Sequence, residues 1–131
     1  MIHEPRSESD VADIVQDARA RKARLGVEGG GTRAGLAPQR GDEIVSTRAL
    51  TGIVHYVPAE MTITAKAGTP LAEIEAALAE RGQILPFEPA DPRALYATNG
   101  APTLGGMVAA GFSGPRRVQA GSLRDALLGA R

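Results

Sequence analysis

The chain has 131 residues, the size of one domain, and its fifteen Lys and Arg residues balance fifteen Asp and Glu residues. A formal net charge of zero leaves no basic excess to hold a nucleic acid backbone or an anionic lipid surface. The sequence contains no cysteine, which excludes disulfides, thiolate metal sites and a cysteine nucleophile. No run approaches 18 apolar residues, so no transmembrane segment is expected.

The first half of the chain predicts one helix followed by strands. Ser7 and Asp10 have the spacing of a helix N-cap, and apolar residues then recur on one helical face, so a helix is expected over 8–22. Short runs rich in Ile, Val and Thr predict strands at 25–28, 43–46, 53–57 and 62–67.

The second half predicts a further helix, a loop and a short helix. Thr69 is expected to cap a helix over 70–81, which Gly82 would stop in the left-handed conformation. The Pro- and Gly-rich stretch 84–103 predicts a loop, and a short helix follows it over 103–111. The expected fold class is therefore α+β, with a small mixed sheet flanked by helices.

The glycine cluster Gly29–Thr32 follows a predicted strand and can turn several backbone N–H groups toward one anion, although a plain turn is an equal alternative. A P-loop is excluded because no lysine follows the cluster. Gly29, Gly31 and Ala34 match the dinucleotide fingerprint formally, but Gly35 and Pro38 prevent the helix that this motif must open. A Rossmann fold is therefore not expected.

A second glycine pair, Gly105 and Gly106, is expected at the head of a helix with free N–H groups, and close helix packing is the alternative interpretation. Two segments that are each suited to bind an anion are explained better by one shared diphosphate than as two unrelated turns. Arg116 and Arg117 follow a turn and are either solvated or bound to a phosphate or an acidic partner. The two histidines are far apart, and no metal site is expected.

No acid, base or nucleophile constellation stands out, so the catalytic residues are unknown and any redox chemistry would belong to a cofactor. Five segments together resemble the PCMH-type FAD-binding domain of the vanillyl-alcohol oxidase and p-cresol methylhydroxylase family. They are residues 29–32, 52–56, 67–78, 85–89 and 104–131. Within this family the chain is most similar to the FAD-binding subunits of bacterial glycolate oxidases, above all in the stretch LGGMVAAGFSGPRR.

The resemblance implies FAD contacts in three groups. Gly29, Gly30, Gly31, Thr32 and Arg33 match the loop that wraps the pyrophosphate; Pro89, Thr103, Leu104, Gly105 and Gly106 match the segments beside the flavin and diphosphate; Gly111, Ser113, Gly114, Gly121, Ser122 and Asp125 match the stretch along the cofactor. Some relatives attach the flavin covalently through a histidine near these loops. No histidine occurs there in this sequence, so noncovalent FAD is expected.

The resemblance also implies a function. The chain would be the FAD-binding portion of an oxidoreductase subunit that oxidises glycolate or a similar small 2-hydroxy acid. Electrons would pass to a second FAD-binding subunit and an iron–sulfur subunit. The expected location is the cytoplasm, including the inner face of the cell membrane if partner subunits attach the protein there.

Family members extend well beyond 131 residues and add a substrate-capping domain. We therefore expect residues 1–131 to be a partial FAD-binding domain that is inactive alone. Two alternatives remain open at the level of sequence. One is another enzyme of the same family, such as a D-lactate dehydrogenase. The other is a non-catalytic truncated remnant that serves as an interaction module, which absence of flavin from the purified full-length protein would favour.

Overall fold

The computed structural model describes residues 1–33 and 41–131. In chain order its elements are β1 (Ile2–His3), α1 (Glu8–Arg21), β2 (Leu25–Glu28), β3 (Glu43–Ser46), β4 (Ile53–Val57), β5 (Thr62–Ala65), α2 (Leu71–Ala79), α3 (Arg93–Tyr96), α4 (Leu104–Ala110), α5 (Arg117–Ala120) and α6 (Leu123–Ala126). The mixture of helices and strands confirms the α+β fold class. Ala34, Gly35 and Pro38, on which the test of the dinucleotide fingerprint depends, lie outside the described residues.

The strands form two separate sheets rather than the single mixed sheet expected from the sequence. β3 lies between β1 and β2 in a three-stranded parallel sheet, whereas β4 and β5 pair antiparallel. A 3-10 turn at Thr47–Ala49 separates β3 from β4. The sequence analysis missed β1, because two residues carry no periodic signal and form a strand here only by pairing with β3 across about forty positions.

The start of α1 is as predicted. The Ser7 hydroxyl accepts a hydrogen bond from the Asp10 amide at 3.1 Å, and the Asp10 carboxylate accepts one from the Ser7 amide at 2.9 Å. This reciprocal pair is a capping box, which satisfies two amides that the helix itself leaves unpaired. α1 ends at Arg21, one residue before the expected end, and Lys22 adopts a left-handed conformation with φ 56°.

The prediction that Thr69 caps α2 is wrong. Its hydroxyl accepts a hydrogen bond from the Gly52 amide at 3.0 Å and donates one to the Gly52 carbonyl at 3.2 Å. Pro70 occupies the N-cap position instead, so α2 is shorter than predicted. Gly82 does end this region in the left-handed conformation, with φ 65°. Thr69 is completely buried and joins the start of α2 to the turn before β4.

The hydrophobic core lies directly beneath α4. It is formed by one residue each from α2, the loop that follows α2, α4 and α6, namely Leu71, Phe87, Met107 and Leu123, with Leu85, Leu104 and Val108 packed around them. This core fixes α4 against α2. The loops at the head of α4 are thereby held in place.

Glu43 is a buried carboxylate that joins β3 to α1 and β1. Arg21 donates two hydrogen bonds to it, at 2.5 and 3.1 Å, and His3 Nε2 lies 2.6 Å from its second oxygen. These contacts, with Arg21 first and His3 second, lower the pKa of Glu43 from its ordinary 4.5 to about 2. Since the folded state stabilises the ionised form of Glu43, this contribution to stability is present above pH 4.5 and is lost as the pH falls toward 2.

Glu43→Gln should therefore lower the thermal midpoint at neutral pH and weaken the loss of stability between pH 4.5 and 2. The reason is that glutamine keeps the shape of glutamate but carries no charge for Arg21. Thermal unfolding across this pH range measures both effects. Glu75→Gln is the control, because Glu75 is exposed on α2 and makes no ion pair within the described residues. A variant whose stability varies with pH as steeply as the parent's would contradict this role of Glu43.

Candidate cofactor site

An open cleft of about 660 Å³ lies between two loops of the structure. One is the glycine loop, residues 29–33, which follows β2. The other is the Asn-Gly loop, residues 98–101, which precedes α4. The cleft is lined by, among others, Gly30, Gly31, Arg48, Asn99, Gly100 and Thr103. Its volume falls within the range of small-molecule and cofactor sites.

The glycine loop carries three consecutive amides that have no hydrogen-bond partner among the described residues. Within residues 1–33 and 41–131, the N–H groups of Gly30, Gly31 and Thr32 donate no hydrogen bond. Gly31 has φ 72°, a conformation that glycine adopts without strain, and Thr32 is only 4 % exposed. Successive backbone N–H groups that have no partner within the described residues and border a cleft form a suitable site for the oxygens of an anion.

The two loops touch through their backbones. A Cβ atom on Gly30 would overlap the carbonyl group of Ala101, and one on Gly100 would overlap the carbonyl group of Gly30. The hydroxyl of Thr98 also donates a hydrogen bond to the Thr32 carbonyl at 3.1 Å. Gly30 is therefore required for loop packing, independently of any ligand.

Sequence reasoning missed Arg48 and Glu28. Arg48 lies in the 3-10 turn after β3, where its Nε donates to the Gly29 carbonyl at 3.0 Å and its Nη2 pairs with Glu28 at 2.5 Å. The Asn-Gly loop was likewise assigned no role. Since these residues reach the cleft only through the pairing of β2 with β3 and the bridge between Pro70 and Thr103, no spacing in the sequence could have identified them.

The prediction of free N–H groups at Gly105 and Gly106 is wrong. Leu104 and Gly105 donate to the carbonyls of Thr69 and Ala67 at 2.9 and 2.7 Å, and Gly106 donates to the Thr103 hydroxyl at 3.3 Å. The segment before α2 lies close enough for its carbonyls to accept hydrogen bonds from the amides of Leu104 and Gly105. A Cβ on Gly105 would lie 2.8 Å from that of Ala67, so close packing explains this glycine. Contact of these residues with FAD stays a prediction.

The structure brings some of the predicted contact residues together and leaves others apart. Gly29 lies against Thr103 and Gly106, so the glycine loop and the head of α4 form one corner. Arg33 donates to the carbonyl of Ala90, beside Pro89. The later residues have local roles in the described structure. Gly111 ends α4, Gly114 packs against Glu88, and the Ser113 hydroxyl accepts a hydrogen bond from the Leu123 amide. Gly121 precedes α6, and Ser122 and Asp125 form the capping box of that helix. Hydrogen bonds from Ser122 lower the pKa of Asp125.

Arg116, one of the two cations after the turn, pairs with Glu88 at 3.6 Å. In addition, the Gly114 amide donates to the Glu88 carbonyl at 3.0 Å. The segment after α4 is thus bound to the loop that contains Pro89. This segment therefore lies beside the second group of predicted contacts, and its Phe112 ring also lies 5.9 Å from the guanidinium carbon of Arg33 in the glycine loop.

A family profile described as an FAD binding domain matches residues 1–131, which is the whole chain. The chain belongs to this FAD-binding domain family. It is 40 % identical over 131 residues to the glycolate oxidase subunit GlcE of Escherichia coli K12, covering all of this chain and 36 % of that protein. It is 26 % identical over 127 residues to a D-2-hydroxyglutarate dehydrogenase of Xanthomonas citri pv. viticola, covering 95 % of this chain and 25 % of that protein.

Solved structures show the same fold. An alkyldihydroxyacetonephosphate synthase matches with a TM-score of 0.73 at 24 % identity, over 95 % of this chain and 23 % of that one. An aclacinomycin oxidoreductase matches with a TM-score of 0.69 at 20 % identity, over 95 % of this chain and 24 % of that one. The chain thus spans 36 % or less of the length of these relatives.

The described residues contain no group of three or more His, Asp or Glu side chains arranged to hold a metal ion. In the same part of the chain, no helix has both the length and the apolar character needed to cross a membrane.

Proposed function

We propose that this FAD-binding domain holds the diphosphate of FAD at the glycine loop, as part of a flavin-dependent oxidoreductase subunit. The observation that carries this proposal is the row of amides at Gly30, Gly31 and Thr32 beside the cleft, for which the described part of the chain offers no acceptor. A diphosphate offers several acceptor oxygens to such a row of N–H groups. The residues present therefore fit the cofactor of the family.

Each part of the site has its own task in this proposal. The amides of the glycine loop donate to the phosphate oxygens, and the Asn-Gly loop holds the glycine loop in place. Thr103 and Gly106 form the other wall of the same corner. The remaining proposed contacts are those predicted from the sequence, namely Gly29, Arg33, Pro89, Leu104, Gly105, Gly111, Ser113, Gly114, Gly121, Ser122 and Asp125. FAD, when bound, supplies the redox chemistry of the enzyme.

The FAD in this proposal is held noncovalently by this chain. Neither histidine lies at the proposed contacts: His3 pairs with Glu43, and His55 is exposed on β4. Tight binding must therefore come from hydrogen bonds, charge and packing.

The proposed substrate is glycolate or a similar small 2-hydroxy acid. One relative is named as a glycolate oxidase subunit and another as a D-2-hydroxyglutarate dehydrogenase, and the substrates in both names carry a hydroxyl group beside a carboxylate. The name of the first relative supports a multi-subunit enzyme. We propose that a second FAD-binding subunit and an iron–sulfur subunit accept the electrons. The proposed location of the enzyme is the cytoplasm or the inner face of the cell membrane.

Anaerobic reduction of the bound flavin tests this function in the complete gene product that contains residues 1–131. Glycolate should bleach the visible flavin absorbance faster than D-lactate or D-2-hydroxyglutarate. Faster bleaching by either of the other acids would favour a different enzyme of the family. A folded protein that purifies without flavin and takes up none would favour the non-catalytic remnant.

A further inference from the structure

The Asn-Gly loop places a chemically reactive pair of residues at the cleft. Asn99 is directly followed by Gly100, and both residues line the cleft. The side-chain carbonyl of an asparagine can be attacked by the backbone nitrogen of the next residue, and a glycine in that position hinders the attack least because it has no side chain. Asn99 is the only asparagine among the 131 residues. The pair therefore has the chemistry of a deamidation site.

The backbone nitrogen that would attack is not held by a hydrogen bond. In the described part of the chain, the amides of Asn99, Gly100 and Ala101 donate none. An amide that is fixed in a helix or a sheet must first break its hydrogen bond before it can turn toward a side chain. The amide of Gly100 does not have to pay this cost.

The side chain of Asn99 is accessible as well. It is exposed, and it makes no hydrogen bond to any other residue that the structure describes. The hydrogen bond that ties this loop to the glycine loop comes from the preceding residue, Thr98, whose hydroxyl donates to the Thr32 carbonyl at 3.1 Å. Both reacting groups, and the water that the reaction consumes, are therefore available at the edge of the cleft.

We infer that Asn99 is a site of spontaneous deamidation and that this modification lowers the affinity for FAD. The Gly100 nitrogen forms a bond to the side-chain carbonyl carbon of Asn99, the bond from that carbon to the amide nitrogen breaks, and ammonia leaves with the proton of the Gly100 amide. Water then opens the cyclic succinimide at either of its carbonyls, which yields aspartate or isoaspartate. At neutral pH both products carry a negative charge that asparagine lacks.

The effect on FAD rests on the proposed function, whereas the modification itself does not. The new carboxylate lies at a cleft that would hold a diphosphate, and like charges repel each other. Isoaspartate also lengthens the backbone by one carbon next to Gly100, which already lies so close to the Gly30 carbonyl that a Cβ would overlap it. Deamidation therefore weakens FAD binding through charge and, in the isoaspartate form, also by displacing the loop.

Peptide mass mapping of the complete gene product tests the modification. After warm incubation without flavin, the peptide that contains Asn99 should gain the mass difference between a carboxylic acid and an amide, and faster at higher pH because the attacking nitrogen must lose its proton. Asn99→Gln is the control, since the longer side chain must close a larger, less favourable ring and should stay unmodified. If the protein keeps its mass at Asn99 while a synthetic peptide of residues 95–103 deamidates in the same buffer, the site is overturned.

Titration of Asn99→Asp with FAD and with riboflavin tests the consequence. This variant carries the charge of the product and should bind FAD about threefold to tenfold more weakly, the effect of one like charge near a surface, with riboflavin unchanged. Gln16→Glu is the matched control, because it adds the same charge on the exposed side of α1, which contributes no residue to the cleft.

The outcomes separate the inference from the function on which its second part rests. A parent protein that binds no FAD would overturn the proposed function and the consequence for FAD, and the mass mapping would still decide the modification. If the parent binds FAD, equal affinity in Asn99→Asp would overturn the consequence, and so would an equal loss for FAD and riboflavin. If Asn99→Asp does not fold, fresh and deamidated parent protein, separated by ion exchange, decide in the same titration.

Discussion

Adding one methyl group at Gly30 should cost the protein most of its affinity for FAD. The Cβ of Gly30→Ala would overlap the carbonyl group of Ala101, so one of the two loops that border the cleft must move. Forcing an extra carbon into a packed contact typically costs about 1–3 kcal/mol. If that cost is taken from binding, the dissociation constant for FAD rises about tenfold to a hundredfold.

Equilibrium titration of the complete gene product with FAD measures this loss, and circular dichroism reports whether the variant is folded. The matched control is Gly129→Ala, since a Cβ on Gly129 meets no atom within 4 Å and should leave the affinity unchanged. A folded Gly30→Ala protein with parental FAD affinity would show that contact between the two loops does not matter for the cofactor.

Truncating Met107 should cause the largest loss of stability. Met107 is 1 % exposed and lies at the centre of the core with Leu71, Phe87 and Leu123. Replacing a buried methionine by alanine costs about 2–5 kcal/mol, against a total stability of about 5–15 kcal/mol for a typical domain. Met107→Ala should therefore lower the urea midpoint sharply and weaken FAD binding indirectly, because α4 carries one wall of the site.

Met61→Ala is the control for this change, since Met61 is 82 % exposed in the turn between β4 and β5. The same side chain removed there should shift the urea midpoint very little. Equal shifts in the two variants would mean that the core described here does not stabilise the domain.

The parts of the fold that depend on local signals could be predicted from the sequence. The capping box of α1 needs only Ser7 and Asp10, which are three residues apart, and the left-handed stop at Gly82 needs only the glycine. The glycine loop was likewise found from its composition. Its unpaired amides agree with an anion site.

Features that depend on distant contacts could not be predicted. Thr69 has the sequence pattern of an N-cap, but folding brings Gly52 to its hydroxyl and the cap is lost. The sequence predicts free amides at the head of α4, but in the structure two of them donate hydrogen bonds to the carbonyls of Ala67 and Thr69. Arg48 reaches the cleft only because β2 and β3 pair, which no spacing along the chain reveals.

Amide hydrogen exchange of the glycine loop tests the central claim most directly. The amides of Gly30, Gly31 and Thr32 donate no hydrogen bond within the described structure, so without ligand they should exchange rapidly. Saturation of the complete gene product with FAD should slow their exchange strongly, whereas riboflavin, which lacks the diphosphate, should slow it much less. Saturated FAD binding with unchanged exchange at these three amides would contradict the claim that the glycine loop holds the diphosphate.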